Sequence, residues 1–386
     1  MPINFAASPR STVGLEWELA IVDGDSGQLS NIAPRLLEDL AGTFPATAFP
    51  HFAGELLQNT IELVSAPHST VAGATADLQQ LARKASLSAQ AHGTALVGAG
   101  SHPFSRWYDQ RVTKNERYDR FIEKYQWWGR NMLIWGVHVH VGIDRSERVV
   151  PIMNALLTYL PHLLALSCSS PFWAGEATGY ASNRTLQFQQ LPTAGLPPEV
   201  DDWHQLEGVL DDLTRTGIIA EPTEARWDVR PAPRWGTIEI RFCDGAATLD
   251  QIRALAALAQ CLTEELQRSA DAGAPLPRLA PWYVRENKWR TARYGLDAHI
   301  ITDRHGTQAP LRDEIYGLIS RLAPIAASLQ CEHELAMAAN LLSNGTSAER
   351  QLATYRQHGG EAAGSSALLA VVDALRADFD SGLEAD

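Results

Sequence analysis

Cysteine is scarce and scattered in this chain of 386 residues. Its 4 cysteines, Cys168, Cys243, Cys261 and Cys331, include no CxxC spacing. That excludes a disulfide framework and a thiolate metal site, so buried thiols in a reducing compartment are expected. Positive charge is also short: 32 Lys and Arg against 45 Asp and Glu leave a net charge of −13. Such a surplus repels nucleic acid and anionic membrane, and neither is expected as a partner. An anionic small substrate stays open, because an arginine cluster or a bound cation reverses the field around itself. No apolar run is clean enough for a membrane span. The most apolar stretch, Val149–Ser170, carries Asn154, Tyr159, Pro161 and His162, and it reads as one buried core helix. The opening MPINFAASPRST has no charged region followed by an apolar one, so a signal peptide is not expected and the cytoplasm is. There is no internal repeat and no low-complexity segment. A P-loop and a GxGxxG before a helix are both missing, so a nucleotide would need another architecture.

What is present is a repeated strand design. In Trp135–Ile143, WGVHVHVGI, His138 and His140 alternate with Val137, Val139 and Val141. Side chains two apart on a strand share a face, so the valines bury one side while both imidazoles look out from the other. Glu16 and Glu18 alternate with Leu15, Trp17 and Leu19 in GLEWELA. Glu239 and Arg241 alternate with Ile238, Ile240 and Phe242 in GTIEIRF. If those faces converge they form a charged, concave, metal-ready surface.

Around these strands the pattern predicts a turn at Gly24–Gly27, a short helix over Pro34–Leu40, a strand at Thr60–Val64, a helix over Val71–His92 stopped by Gly93, and a strand at Thr94–Ala99. Asp109–Gly129 has helical periodicity. Ser182–Asp202 turns Pro/Gly-rich and reads as a long loop or lid, followed by a helix at Trp203–Arg215 and a second loop, Glu221–Trp235. From about 250 onward the chain is nearly all helical, over 250–271, 283–293, 309–328, 331–342, 346–357 and 365–379. Strands early and in the middle with helices after each predict an α+β fold with an antiparallel sheet. No domain boundary stands out, so residues 1–386 read as a single domain.

Glu16, Glu18, Glu62 and Glu239 are acids on otherwise apolar strands, and Glu55 lies seven residues before Glu62, past an expected bend. Buried carboxylates must be paired or hold cations; the plain alternative is that they meet arginines or solvent on an exposed sheet face. The His-x-His pair fits metal ligands, a proton shuttle, or two hydrogen-bonded histidines. A cupin would place a Glu four or five residues past the second His, where this chain has Ile143, Asp144 and Arg145. An amidohydrolase would place the pair on a first strand. Mixed carboxylate and imidazole donors suit Mg²⁺ or Mn²⁺. With arginines nearby, that set suits phosphoryl transfer from ATP. The arginine candidates are Arg184, Arg230, Arg234, Arg241, Arg290 and Arg293, of which Arg241 shares a strand face with Glu239.

In order along the chain, GLEWEL, ELLQNTIELVS, GSHPF, GVHVHVG, the Arg184 loop into LPTAGLPP, GTIEIRFCD and ENKWRTARYGLDA resemble the glutamate–cysteine ligase type 2 family, in particular its YbdK-like carboxylate–amine ligases. The likeness covers residues 14–297 and continues through NGTSAERQLATYRQHG. It implies a glutamine-synthetase-like catalytic domain, a curved antiparallel sheet forming an active-site funnel with helices packed outside. It also implies ATP-dependent, Mg²⁺- or Mn²⁺-dependent joining of a carboxylate to an amine, glutamate and cysteine being the expected pair, through γ-glutamyl phosphate. Carried over by position, Glu16, His138 and Glu239 hold the metal nearer the ATP phosphates, and Glu18, Glu55 and Glu62 the other metal. His140 sits by the substrate, Arg241 stabilises the transferring phosphoryl group, Arg184 contacts a substrate carboxylate, and Asn287 with Arg290 serve the nucleotide. A homodimer is the default oligomer. Two rivals remain: a two-metal amide or ester hydrolase, which would work without ATP, and a non-catalytic nucleotide or metabolite sensor, which would bind ATP without releasing phosphate.

Overall fold

The first long strand, β1 (Val13–Asp23), carries the strand design into three dimensions. Val13, Leu15, Trp17 and Leu19 are buried while Glu16 and Glu18 stay partly open on the opposite face. The computed structural model describes residues 3–44 and 50–384. Among these, six more strands complete the sheet: β2 (Phe52–Gly54), β3 (Thr60–Val64), β4 (Thr94–Val97), β5 (Gly136–Gly142), β6 (Val229–Ala232) and β7 (Thr237–Asp244). From edge to edge they run β6, β7, β5, β1, β3, β2, antiparallel throughout. β4 pairs with Ala20–Asp23 of β1, beyond the stretch that β5 covers.

Register decides what the open face displays, because a slip of one residue would turn every side chain over. Glu16 lies opposite His138, Glu18 opposite Glu62, and His140 opposite Glu239. Arg230 on β6 is also opposite Glu239. On the other face the valines of β5 and the isoleucines of β7 join one core with the covering helices. Those helices include Val71–Ala91, Ser146–Thr158, Leu160–Ser167 and Leu249–Asp271. Thr70 caps the first by accepting from Gly73 N at 3.2 Å, and Gly93 ends it at φ +69°. Trp17 Nε1 donates to Ala246 O at 3.1 Å, and its ring meets Phe379, 5.4 Å between centroids, so the last helix, Ser365–Glu384, is tied to the sheet. Each fully buried aliphatic or aromatic side chain contributes roughly 1.5–3 kcal/mol. That apolar face offsets the cost of crowding acids on its reverse.

Several expected spans form close to where the sequence places them, including helices at Ala33–Leu40, Trp203–Arg215, Pro281–Tyr294, Leu311–Leu329, Glu332–Asn344 and Ser347–Gln357. Others differ. The apolar stretch Val149–Ser170 is two helices, Ser146–Thr158 and Leu160–Ser167, bent by 59°. Pro161 has no N–H to give Leu157 and its ring crowds that carbonyl, so the first helix stops at Thr158. No single helix among the described residues is long and apolar enough to cross a membrane. Within Asp109–Gly129 the helix starts only at Glu116, where Asn115 accepts from Arg117 N at 2.8 Å; it runs to Arg130 with Gln126 off helical geometry. The two expected loops hold structure. Ser182–Asp202 contains a helix at Asn183–Phe188, and Ala194–Gly195 pairs with Arg226–Trp227. Glu221–Trp235 contains β6, whose Pro231 suits a sheet edge.

Candidate active site

The two histidines share one carboxylate. His138 Nδ1 is 2.6 Å from Glu16 Oε2 and His140 Nε2 is 3.1 Å from Glu16 Oε1, while His140 Nδ1 is 2.9 Å from Thr237 Oγ1. Donation from His138 Nδ1 leaves its Nε2 as an acceptor, 3.9 Å from Glu18 Oε1. Glu239 is held by two arginines: Arg230 Nε reaches Oε2 at 2.7 Å, and Arg241 Nη1 donates to Oε1. The strand β7 is irregular between Ile240 and Cys243, where Arg241 N donates to Asp228 O at 2.8 Å. Asp228 is itself fixed by a buried ion pair with Lys288, 2.6 Å.

Among the described residues, three sets of side chains lie close enough to hold a metal ion: Glu18–Glu55–Glu62, Glu16–Glu62–His138 and Glu16–His140–Glu239. The first is the set expected for one metal. The set expected for the other, Glu16–His138–Glu239, is split, with His138 grouped with Glu62 and Glu239 with His140. His138 Nδ1 stands 4.0 Å from Glu239 Oε1.

The charges on these groups follow their surroundings. Burial, then the neighbouring Glu55, pushes Glu18 up to about 7. Burial together with Glu16, Glu55 and Glu18 holds Glu62 well above the usual carboxylate range, and burial raises Glu55. Burial opposes ionisation of Glu16, but His140 and His138 outweigh it and keep Glu16 well below that range. Glu239 is likewise buried, and Arg230 and Arg241 hold it low. Burial and Arg241 push His138 down to about 4, so it is neutral, as a metal ligand must be. Burial works against His140 too, yet Glu239 and Glu16 raise it. Oxygen donors short of positive charge beside a neutral imidazole fit Mg²⁺ or Mn²⁺. A metal must compete with the proton on Glu18. Mn²⁺ affinity is therefore expected to fall as pH drops through about 7. Calorimetric titration in buffers of different ionisation enthalpy reads the displaced proton; an affinity flat across neutral pH contradicts this.

A cavity of about 560 Å³ opens over this face, lined by Glu16, Glu18, Glu55, Glu62, His138, Arg184, Arg230, Arg234 and Arg241. Arg184 is 3 % exposed, no carboxylate among the described residues is within ion-pair distance of it, and its Nε has no partner. Its guanidinium lies over Phe188 and against Gly136, where an added Cβ would come within 2.3 Å of Nη2. Gly136 N in turn donates to Glu18. Asp244, fully buried, sets this arrangement up. It accepts from Ser169 N at 3.0 Å, and from Ser170 Oγ and Ser182 Oγ at 2.7 Å. Ser170 Oγ then accepts Arg184 N at 3.0 Å, starting the helix that carries Arg184.

Asn287 and Arg290 are not brought to the cavity, contrary to the sequence expectation. Asn287 is buried with both amide atoms bound to the Ile301 backbone at 2.8 Å. Arg290 is spent on Glu286, His299 O and Gln308. Arg293 lies elsewhere too, donating to Gly179 O beside Tyr180. Conversely, Arg117, Tyr118 and Arg226 line the cavity without having been singled out. Their helix and loop have mixed polarity, so only the three-dimensional arrangement identifies them.

The sequence pattern of glutamate-cysteine ligase family 2 matches residues 12–369. A Leifsonia xyli protein provisionally named glutamate–cysteine ligase 2 is 50 % identical over 381 residues, covering 99 % of both chains. A Mycobacterium tuberculosis protein of the same provisional name is 48 % identical over 377 residues, covering 98 % of this chain and 97 % of its own. Among solved structures, glutamate–cysteine ligase of Francisella tularensis in complex with AMP matches 97 % of this chain and 89 % of its own, with a TM-score of 0.68 at 14 % identity. A bifunctional glutathione synthetase from Pasteurella multocida matches 94 % of this chain and 52 % of its own, with a TM-score of 0.60 at 14 % identity. These structural likenesses establish a shared fold.

Proposed function

The chain belongs to glutamate–cysteine ligase family 2, and from that premise we propose that it is an ATP-dependent ligase joining the γ-carboxyl of glutamate to the amine of an amino acid, cysteine being the family's namesake. The observation that carries this reading is the divided sheet face: two arginines around Glu239 at one edge, three acids around Glu62 at the other. One end suits phosphate oxygens; the other suits a cation between carboxylates. We read all described residues as one catalytic unit, since the C-terminal helices pack straight onto the sheet.

In the reaction a carboxylate oxygen attacks the γ-phosphorus of ATP and ADP leaves. The amine nitrogen then attacks the acyl carbon, phosphate departs with the C–O bonding pair, and the ammonium proton is lost. Glu16, Glu18, Glu55, Glu62, His138 and Glu239 would hold Mg²⁺ or Mn²⁺, which would supply positive charge to offset that of the transferring phosphoryl group. Arg241 orients the moving phosphoryl group through its planar fork. Arg184 takes the glutamate α-carboxylate. Its guanidinium is buried without an ion pair, feeling Glu18 and Asp244 only from beyond that distance, which suits an anionic ligand. His140, whose pKa Glu239 and Glu16 raise against burial, meets Glu16 at Nε2 and Thr237 at Nδ1, and so orients Glu16 beside the substrate. Asn287 and Arg290 have no part in this scheme.

Phosphate release from ATP is expected to require glutamate and an amine together, with a γ-glutamyl amide as product. Release that ignores omission of glutamate contradicts the reading. Gly136→Ala tests Arg184. The new methyl displaces the guanidinium, since a side-chain tip yields more easily than backbone. KM for glutamate should rise about tenfold or more, as expected for a lost charged hydrogen bond, with the melting temperature little changed. An unchanged KM removes Arg184 from substrate binding.

A further inference from the structure

Arg226 is a second cation without a counter-ion in the same cavity. It is half-buried, and its Nη1 donates to Thr193 Oγ1 at 3.4 Å and to Glu224 O at 3.1 Å. No carboxylate among the described residues lies within ion-pair distance. A guanidinium has five donors, so most of its capacity remains. Its plane lies 5.1 Å over the ring of Phe121. Around that ring the cavity wall turns apolar through Leu56, Met132 and Ile134, which pack with Phe121 as one small cluster.

Place matters here. Leu56 follows Glu55 directly and its N–H donates to that carboxylate at 3.3 Å, beside β2 at one edge of the sheet. Arg230 and Glu239 stand on β6 and β7 at the opposite edge. The apolar wall thus borders the acid-rich end, away from the arginines that suit phosphate. A ligand there meets the half-buried Arg226, with the exposed Arg117 also in the lining, and an adjacent apolar surface. We propose that Arg226 and this wall form the acceptor subsite, and that the amine substrate is an α-amino acid with an apolar side chain larger than cysteine's, its carboxylate on Arg226. The inference rests on the ligase reading and names the substrate class of that site.

The test compares L-leucine, L-cysteine, glycine and isoamylamine (leucine without its carboxylate) as acceptors with ATP and glutamate. Binding of L-leucine is measured separately by calorimetry in the presence of ATP's non-hydrolysable analogue and glutamate. Leucine should exceed glycine in kcat/KM by about tenfold or more, the discrimination typical of methylenes in an apolar pocket. It should exceed isoamylamine by about ten- to a hundredfold, the worth of a charged hydrogen bond. Arg226→Gln should abolish the preference for leucine over isoamylamine while leaving KM for ATP unchanged. Met132→Thr should narrow the gap between leucine and glycine. The wild-type comparisons stand even if a variant fails to fold. Turnover in which cysteine or glycine equals leucine, or isoamylamine equals leucine, overturns the subsite while the ligase reading survives. A change confined to KM for ATP in Met132→Thr assigns the wall to the nucleotide and overturns it too. Without turnover for any acceptor the ligase reading fails; calorimetric binding of leucine, lost in Arg226→Gln, then still supports the subsite, and no leucine binding overturns it.

Discussion

Glu239→Gln lowers ATP turnover by about a hundred- to a thousandfold, the usual cost of removing one preorganised charge from a site of this kind. The carboxylate is 2 % exposed, lies 2.7 Å from Arg230 Nε, accepts from Arg241, and faces His140 at 4.0 Å. Removing its charge withdraws a metal donor and frees two buried guanidiniums to repel each other. Stability falls as well, by about 3–5 kcal/mol, because breaking one side of a buried pair leaves the partner uncompensated. Chemical denaturation reads the second effect and phosphate release the first, under conditions where the variant is folded. Wild-type turnover from a folded Glu239→Gln protein removes Glu239 from the chemistry.

Arg241→Lys should cost about ten- to a hundredfold in kcat, the range of a charge-assisted hydrogen bond. The fold should keep nearly all its stability. Lysine still offers a cation to Glu239, which maintains the buried pair, but its ammonium has no planar fork. Arg241 Nε is buried and without a partner, while Nη1 serves Glu239, so part of the guanidinium is unspent within the protein. That unspent part is what lysine cannot replace. KM for glutamate should hardly move, because Arg184, on a different element, is assigned to that contact. Near-normal kcat in Arg241→Lys contradicts the assignment.

The strands that carry these groups were legible because one physical rule governs them. Period-2 alternation around Glu16, His138 and Glu239 places apolar residues in the core and ionisable ones opposite, whatever the distant context. The same rule could not say which neighbour each group meets. His138 grouping with Glu62 rather than Glu239 follows from strand order and register, which pairing across more than a hundred residues decides. Asn287 shows the opposite failure: a polar residue in a motif-like stretch has its amide consumed by the Ile301 backbone, a pairing with no local signal. The bend between Ser146–Thr158 and Leu160–Ser167 was foreseeable from Pro161, but uniform burial on both sides makes the stretch read as one helix. Arg226 lay in a segment taken for loop, where a two-residue strand leaves no periodicity to detect. Short strands and long-range pairing are where sequence reading ran out.

In this mechanism glutamate is activated by phosphorylation on its own carboxyl oxygen. Glutamate labelled with ¹⁸O in the γ-carboxyl, turned over with ATP and an amine acceptor, tests it directly by mass analysis of the released phosphate. One labelled oxygen per phosphate is expected, with the other label kept in the amide carbonyl. Unlabelled phosphate, with the second label recovered in water instead, would contradict it.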